Sequence, residues 1–403
     1  MRRFDIIYII GVLSCVMASC TKQVEVEIPD KDVSEVPVEF AFAYSKVAIR
    51  GEENLKDNSS IFGMYAVDPS LGSLSADDGL NMRNQLCRYV APTDESNSAL
   101  RFGYKSEDRI IYFPMSNENS YTFYTYHSWT SNIIDVATGS VSVSEPDDMQ
   151  TVSETSSTDT QVCAAINLAN PNDVLWAKSD PGFNAAYIRE TGNVPTFSFR
   201  HPAAGVSFKV VLDDDSQQNI SKWDHLTLMH LTYTGSESGK IASSAALCII
   251  DLEDEANEGK FLEPLSFKDN VLWTNPGAGS GNLVFDVLAD ADGDGVTETC
   301  LTEPQLLYSE NFIMPMDEPL KVTVSLRKRR ITATGSLTGN KDMGTFTFVL
   351  DPKDFGASET GYKAGIMYNY KIVVKYANGS LSNFNTGEVD VAIVPETAPD
   401  KVD

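Results

Sequence analysis

Four carboxylates of this chain fall at the spacing of a calcium-binding loop. Asp290, Asp292, Asp294 and Glu298 take positions 1, 3, 5 and 9 of such a loop, with Gly295 at position 6. Hard oxygen ligands at that spacing can wrap Ca2+ around a glycine turn. Position 12, where a bidentate carboxylate belongs, is Leu301, and no flanking helices are evident. A solvated acidic turn is the expectation, with a loop-only Ca2+ site as the alternative. The histidines His127, His201, His225 and His230 show no metal-binding spacing. Cys87, Cys163, Cys248 and Cys300 are widely and irregularly spaced, without Cys-x-x-Cys, so neither a zinc site nor a redox motif is indicated. Cys248 lies in the apolar run Ala245-Ala246-Leu247-Cys248-Ile249-Ile250 and reads as a buried free thiol. Export would permit a disulfide among the four, with three pairings open. The Gly277-Ala278-Gly279-Ser280-Gly281 stretch lacks the first glycine and the strand-to-helix context of a nucleophile elbow. No paired-acid constellation rises above the background of an acidic chain, so an enzyme is not expected.

The remaining chemistry is at the N-terminus. Arg2 and Arg3 precede an apolar run from Ile6 to Ala18, which closes on Ala18-Ser19 before Cys20. That order describes a secretory signal peptide, too short to span a bilayer, which needs roughly 20 apolar residues. Met17-Ala18-Ser19-Cys20 resembles a bacterial lipobox, with Met17 where leucine is usual. The expectation is cleavage after residue 19 and acylation of Cys20, giving a lipid anchor in the outer membrane. Each buried methylene of such a lipid contributes about 0.8 kcal/mol to anchoring. A cleaved signal with a bystander cysteine is the alternative.

Charge narrows the partners. The 403 residues carry 31 Lys+Arg against 57 Asp+Glu, a formal charge of -26. Such a chain repels nucleic acid, which needs a basic footprint, and it gains nothing from an anionic membrane surface. Hydrophobic residues at 42%, with 16 Tyr and 19 Phe, supply ample core. One basic cluster, Arg327-Lys328-Arg329-Arg330, interrupts the acidity and reads as a solvated hairpin turn.

The elements that would position these groups are strands. Val38, Phe40, Phe42 and Tyr44 alternate with Glu39, Ala41 and Ala43, the period of a half-buried strand. Further candidates lie at 61–67, 109–113, 121–126, 196–200, 206–212, 226–233, 283–288, 320–326, 345–350, 367–376 and 389–394. Most are rich in β-branched and aromatic residues and bounded by Gly, Asn, Asp, Ser or Pro. No long stretch carries a capped apolar stripe at helical spacing. The expectation is an all-β chain of sandwiches. Its organisation reads as a signal peptide at 1–19, a tether at 20–37, an N-terminal sandwich at 38–193 and a C-terminal sandwich at 194–403. The stretch 144–160, rich in Ser, Thr and Asp, reads as a surface loop. Tyr112, Tyr121, Tyr124, Tyr126, Trp129 and Trp176 are expected to pack cores and edges, with a sugar-stacking face as the alternative.

Phe62-Gly63-Met64-Tyr65-Ala66, Tyr121-Thr122-Phe123-Tyr124-Thr125-Tyr126, Phe197-Ser198-Phe199-Arg200-His201 and Ala364-Gly365-Ile366-Met367-Tyr368, in that order, resemble stretches of the fimbrillin family, the lipoprotein pilin precursors of Bacteroidales. Phe62-Gly63-Met64-Tyr65-Ala66 is similar to that family's early strand. Ile111-Tyr112-Phe113-Pro114 followed by Tyr121-Thr122-Phe123-Tyr124-Thr125-Tyr126 resembles its aromatic strand pair. Asp173-Val174-Leu175-Trp176-Ala177 resembles a later strand, and Phe197-Ser198-Phe199-Arg200-His201-Pro202-Ala203 the start of the second domain, with Pro202 and Gly205 departing from the usual residues. Ala364-Gly365-Ile366-Met367-Tyr368-Asn369-Tyr370 resembles a late strand. The resemblance implies two tandem transthyretin-like β-sandwiches and a structural fimbrial subunit, supporting adhesion.

It also implies a route to assembly. An arginine-specific protease would cut after the first strand, here after Arg50, whose downstream Gly51-Glu52-Glu53-Asn54 suit an exposed loop tip. Loss of the strand bearing Val38, Phe40, Phe42 and Tyr44 would open an apolar groove for a strand of the next subunit. At the other end, Val389, Val391 and Ile393 alternate with Asp390 and Ala392 before Pro395, so 386–395 could donate that strand or complete its own sandwich. The expected partners are other fimbrial subunits, the outer membrane through lipid, and a host or bacterial surface glycan or protein. A tip or anchor adhesin is the first alternative. An outer-membrane glycan-binding lipoprotein is the second.

Overall fold

The structure is a computed structural model. It describes residues 35–42, 61–74, 80, 82–90, 101–104, 111–115, 118–127, 129, 132–135, 140–143, 159–168, 174–213, 224–268, 273–274, 288–289, 298–299, 305–331, 337–378, 387–395 and 400–401. In the first half the strands are β1 (Ala41–Phe42), β2 (Ile61–Val67), β3 (Gln85–Val90), β4 (Arg101–Tyr104), β5 (Thr122–His127), β6 (Asn132–Asp135), β7 (Ser140–Val143), β8 (Gln161–Asn167) and β9 (Leu175–Lys178). Helix α1 (Ala185–Thr191) follows. Next come β10 (Thr196–Phe197), β11 (Ala204–Leu212), β12 (Asp224–Gly235), β13 (Ile241–Asp251) and β14 (Phe261–Lys268). The remainder are β15 (Trp273–Thr274), β16 (Leu288–Ala289), β17 (Glu298–Thr299), β18 (Gln305–Ile313), β19 (Leu320–Ile331), β20 (Leu337–Leu350), β21 (Ile366–Asn378), β22 (Gly387–Pro395) and β23 (Asp400–Lys401). The chain is all-β, with stacked sheets that are mainly antiparallel.

The C-terminal sandwich has the plainer logic. Sheet β18-β11-β21-β22 faces sheet β15-β12-β19-β20. Alternation does the sorting: Leu320, Val322, Val324 and Leu326 of β19 are buried while Lys321 is exposed. They meet Val206, Phe208 and Val210 of β11 and Tyr370, Ile372 and Val374 of β21 in one core. The Phe208 ring stacks on Tyr370 at 5.6 Å between centroids. The basic cluster, expected in a hairpin turn, lies inside β19 instead. Arg330 is in register with Asp224 of β12, and Arg327 with Asp342 of β20. Register pairing with β12 on one side and β20 on the other carries the ladder through the charged residues, which sequence patterning reads as a break.

The N-terminal body is layered around a central sheet, β4-β3-β2-β5-β9. One face packs Tyr65, Tyr124, Tyr126 and Trp176 against a side sheet, β14-β13-β8-β6-β7. The other packs Phe62, Met64 and Phe123 beneath residues 36–40, α1 and Phe197. Helix α1 is short but well bounded: the Asn184 side chain accepts from Tyr187 N at 2.9 Å, and Gly192 closes it at φ 69°. Its Ala185 and Ile188 are buried in the core beneath. Gly63 explains itself by close approach, since a Cβ there would strike the Tyr126 ring and Asn84 Oδ1. The Tyr126 hydroxyl donates to that same oxygen at 2.7 Å. The ladder of β13 with β8 runs across the division expected near Asn193, joining strands from both sides of it.

Candidate functional site: the inlaid segment 36–42

Residues 36–42 lie in a trough on the central sheet's outer face. On one side Val38 N donates to Ile111 O at 2.8 Å and Phe113 N to Val36 O at 2.9 Å, with Pro37 bridging Tyr112 antiparallel. On the other, Ala41 N donates to Pro195 O at 3.0 Å, and β1 runs parallel to β10 with Ala41 opposite Thr196. The segment is thus the middle member of a three-stranded layer whose neighbours are short.

Its apolar side chains are set into the core. Val38 and Phe40 are buried, as alternation predicts; Val36, expected in the tether, is buried too because its carbonyl pairs with Phe113 N, and so is Ala41. The Phe40 ring meets Phe123 edge-on at 5.1 Å and Phe197 at 5.5 Å. At about 1.5–3 kcal/mol per large side chain, withdrawing Val36, Val38 and Phe40 costs several kcal/mol until the trough is refilled. It also strips backbone partners from residues 111–113 and 195–197. Of the four expected strand residues, the structure places Val38 and Phe40 in the core and Phe42 in register with Phe197. Tyr44, Arg50 and Cys20 lie outside the described residues.

A polar clasp holds the floor of this body to the 251–259 turn. Trp176 and Arg200 exchange backbone hydrogen bonds, each 3.0 Å. The Arg200 guanidinium lies 4.2 Å from the centroid of the Trp176 ring and donates to Glu258 O. The Trp176 indole N–H donates to Ile249 O at 3.1 Å. Gly259, at φ 68°, passes so close that a Cβ would meet both Trp176 and Arg200. Lys178 pairs with Glu255 at 2.6 Å and with Glu258 at 2.9 Å. Burial opposes the charge of Lys178, but those two hydrogen bonds outweigh it and raise its pKa. Burial raises the pKa of Glu258 despite Lys178 beside it. Trp176 and Arg200 lie in separate sequence motifs. Nothing in either stretch announces that they stack.

The remaining candidates separate. Val389, Val391 and Ile393 belong to β22, the end strand of its sheet, in register with Tyr376, Val374 and Ile372 of β21. Asp290, Asp292 and Asp294 lie outside the described residues, and Glu298 is placed in β17 opposite Ala289. Among the described residues no group of three metal-ligating side chains converges, and no helix is long and apolar enough to cross a membrane. Of the aromatic set, Tyr121, Tyr124, Tyr126 and Trp176 are buried, and Trp129 packs on the core with its indole N–H on Asn84 O at 3.2 Å. Tyr112 is the exposed member, so these rings do not make a sugar-stacking face.

No protein-family model matches the chain, and no curated protein matches it. Solved structures similar to it in extent include a fimbrial protein from Bacteroides vulgatus, with 11% identity, 90% of this chain and 99% of that one covered, and a TM-score of 0.45. A putative cell adhesion protein from Bacteroides uniformis shares 13% identity over 90% of this chain and 100% of that one, at TM-score 0.38. The fimbrial anchor protein Mfa2 from Porphyromonas gingivalis shares 11% identity over 89% and 97%, at TM-score 0.29.

Proposed function

We propose that the chain is a structural fimbrial subunit, exported as a lipoprotein through Cys20, processed after Arg50 and polymerised by strand replacement. The observation that carries this reading is the inlay of residues 36–42. Val36, Val38 and Phe40 plug an apolar trough whose flanking backbones are short and bonded to this segment. Cleavage after Arg50 would separate the segment covalently from the rest of the body. The emptied trough would then present apolar surface and strand edges together, which is the requirement for β-strand addition. The lipobox-like N-terminus and the ordered motif resemblance support the same reading.

The candidate donor is 386–395. In the isolated chain β22 lies along β21 over nine residues, so donation requires it to leave that edge for a neighbour's trough. Its alternating Val389, Val391 and Ile393 match the spacing of Val36, Val38 and Phe40. In this account the lipid is a delivery device: it leaves with the tether and the first segment.

The test is Arg50→Ala in a cell that secretes the protein. The variant is expected to remain an intact lipoprotein and to yield no detergent-resistant ladder. Ladders equal to those of the parent would overturn the mechanism.

A further inference from the structure

Strands β8 and β13 bring two thiols side by side. Cys163 and Cys248 are register partners in this antiparallel ladder, and both are completely buried thiols. Register partners project to the same face of a sheet. Here that face is shared with Ala246, Ala165, Leu262 and Leu265, on the side turned away from the tyrosine-rich core. The backbone identifies the kind of pair. Cys248 N donates to Lys260 O at 2.9 Å, and Cys248 O accepts from Gly259 N at 2.8 Å. Both backbone groups of Cys248 therefore point towards β14 and away from β8. The Cys163–Cys248 pair is consequently of the non-hydrogen-bonded type, whose Cα atoms lie about 4.5 Å apart. That separation falls inside the span a disulfide bridges, roughly 4.4–6.8 Å.

We propose that Cys163 and Cys248 are a disulfide site, a covalent staple between β8 and β13 formed as the exported chain folds. The oxidant is an external disulfide, carried by a thiol–disulfide oxidoreductase or a small molecule. One cysteine thiolate attacks it, forming a mixed disulfide and releasing one thiol. The second cysteine then attacks its partner's sulfur and displaces the other thiol. The two cysteines lose two protons and two electrons, and the external disulfide gains them. The timing follows from burial. A hydrogen bond with Cys163, and then burial, hold the Cys248 thiol far above its ordinary range in the folded chain. Reaction therefore precedes closure of the ladder, and the finished bond is shielded from reductant. Cys87 is not a competitor in the folded chain, because it lies in β3 within the core on the opposite face of the central sheet. The staple would tie the side sheet across the sequence midpoint, so that this layer stays closed while residues 36–42 depart. The oxidising compartment rests on the export reading, whereas the pairing does not.

The experiment uses the purified wild-type chain, unfolded, reduced and refolded in a buffer of oxidised and reduced glutathione. Free thiols are alkylated in denaturant and the digest is mapped by mass. A linked peptide pair joining Cys163 to Cys248, about 2 Da lighter than the two thiol peptides, is expected. Reducing the bond in denaturant and refolding without oxidant should then lower the melting temperature by about 5–10 °C. Alkylated Cys163 and Cys248, or a bond from either to Cys87 or Cys300, would overturn the proposal. Arg50 plays no part in this measurement, so its outcome and that of the polymerisation test are independent.

Discussion

The trough layer of the N-terminal body and the C-terminal sandwich bury similar side chains by different means. In the C-terminal sandwich, β19 and β20 span 12 and 14 residues and pair along most of that length. In the trough layer, residues 36–42 are held by one short antiparallel run and a two-residue parallel ladder. Apolar burial is comparable at the two sites, for Phe40 is as thoroughly enclosed as Phe208. Cooperativity is not comparable. A long ladder must be lost as a whole, whereas a short inlaid segment can open alone, at a free energy below that of global unfolding. The lesson is that a strongly apolar strand can be both essential to the core and removable.

That contrast can be broken by mutation. Phe208→Ala is expected to cost about 3–5 kcal/mol, read as a lower urea midpoint for the whole chain. Phe40→Ala is expected to cost about 3 kcal/mol, concentrated in local opening. In hydrogen exchange it should deprotect the amides of Val38, Ala41 and Phe113 while leaving β19 protected. Equal deprotection of β19 in both variants would remove the distinction between the regions. Arg200→Ala takes away the cation over Trp176 and the donor to Glu258 O. A loss of about 1–2 kcal/mol is expected, and a melt unchanged from the parent would show that the clasp is idle.

The smallest effect is a pH response of the 251–259 turn. Burial tends to raise the pKa of Asp251. Hydrogen bonds from Asn257, the Asp254 amide, Gln161 and the Glu253 amide outweigh it, leaving the pKa below the ordinary value. A carboxyl lowered on folding contributes stability above its unfolded pKa and loses it as pH falls through the folded value. Melting temperature should therefore fall more steeply below about pH 4 in the parent than in Asp251→Asn. Parallel curves would dismiss Asp251 as an anchor of the turn. Glu258 carries the opposite sign. Its raised pKa gives a contribution complete below the unfolded value and lost as pH rises through the folded one.

Period-2 alternation made much of this fold legible. β2 falls on the expected 61–67, β5 lies one residue beyond the expected 121–126, and β11, β12, β19, β21 and β22 cover their expected stretches with longer ends. The burial of Val38 and Phe40 followed from the same alternation. Strands β8 and β13 were less visible, because small residues such as Ala164, Ala165, Ala245 and Ala246 carry weak β propensity and β13 is buried along almost all its length. Their mutual register, and so the meeting of Cys163 with Cys248, is a non-local fact that spacing cannot encode. The stacking of Arg200 on Trp176 was hidden for the same reason. The basic stretch in β19 looks like a turn in sequence because the residues in register with it, Asp224 and Asp342 among them, are distant along the chain.

The central claim is that residues 36–42 are a placeholder which the assembled protein lacks. N-terminal sequencing and intact mass of subunits dissociated from polymers released at the cell surface test it most directly. A start at Gly51, with no peptide covering Val36 to Ala41, is the predicted result. Subunits that keep that segment, beginning at an acylated Cys20, would contradict it.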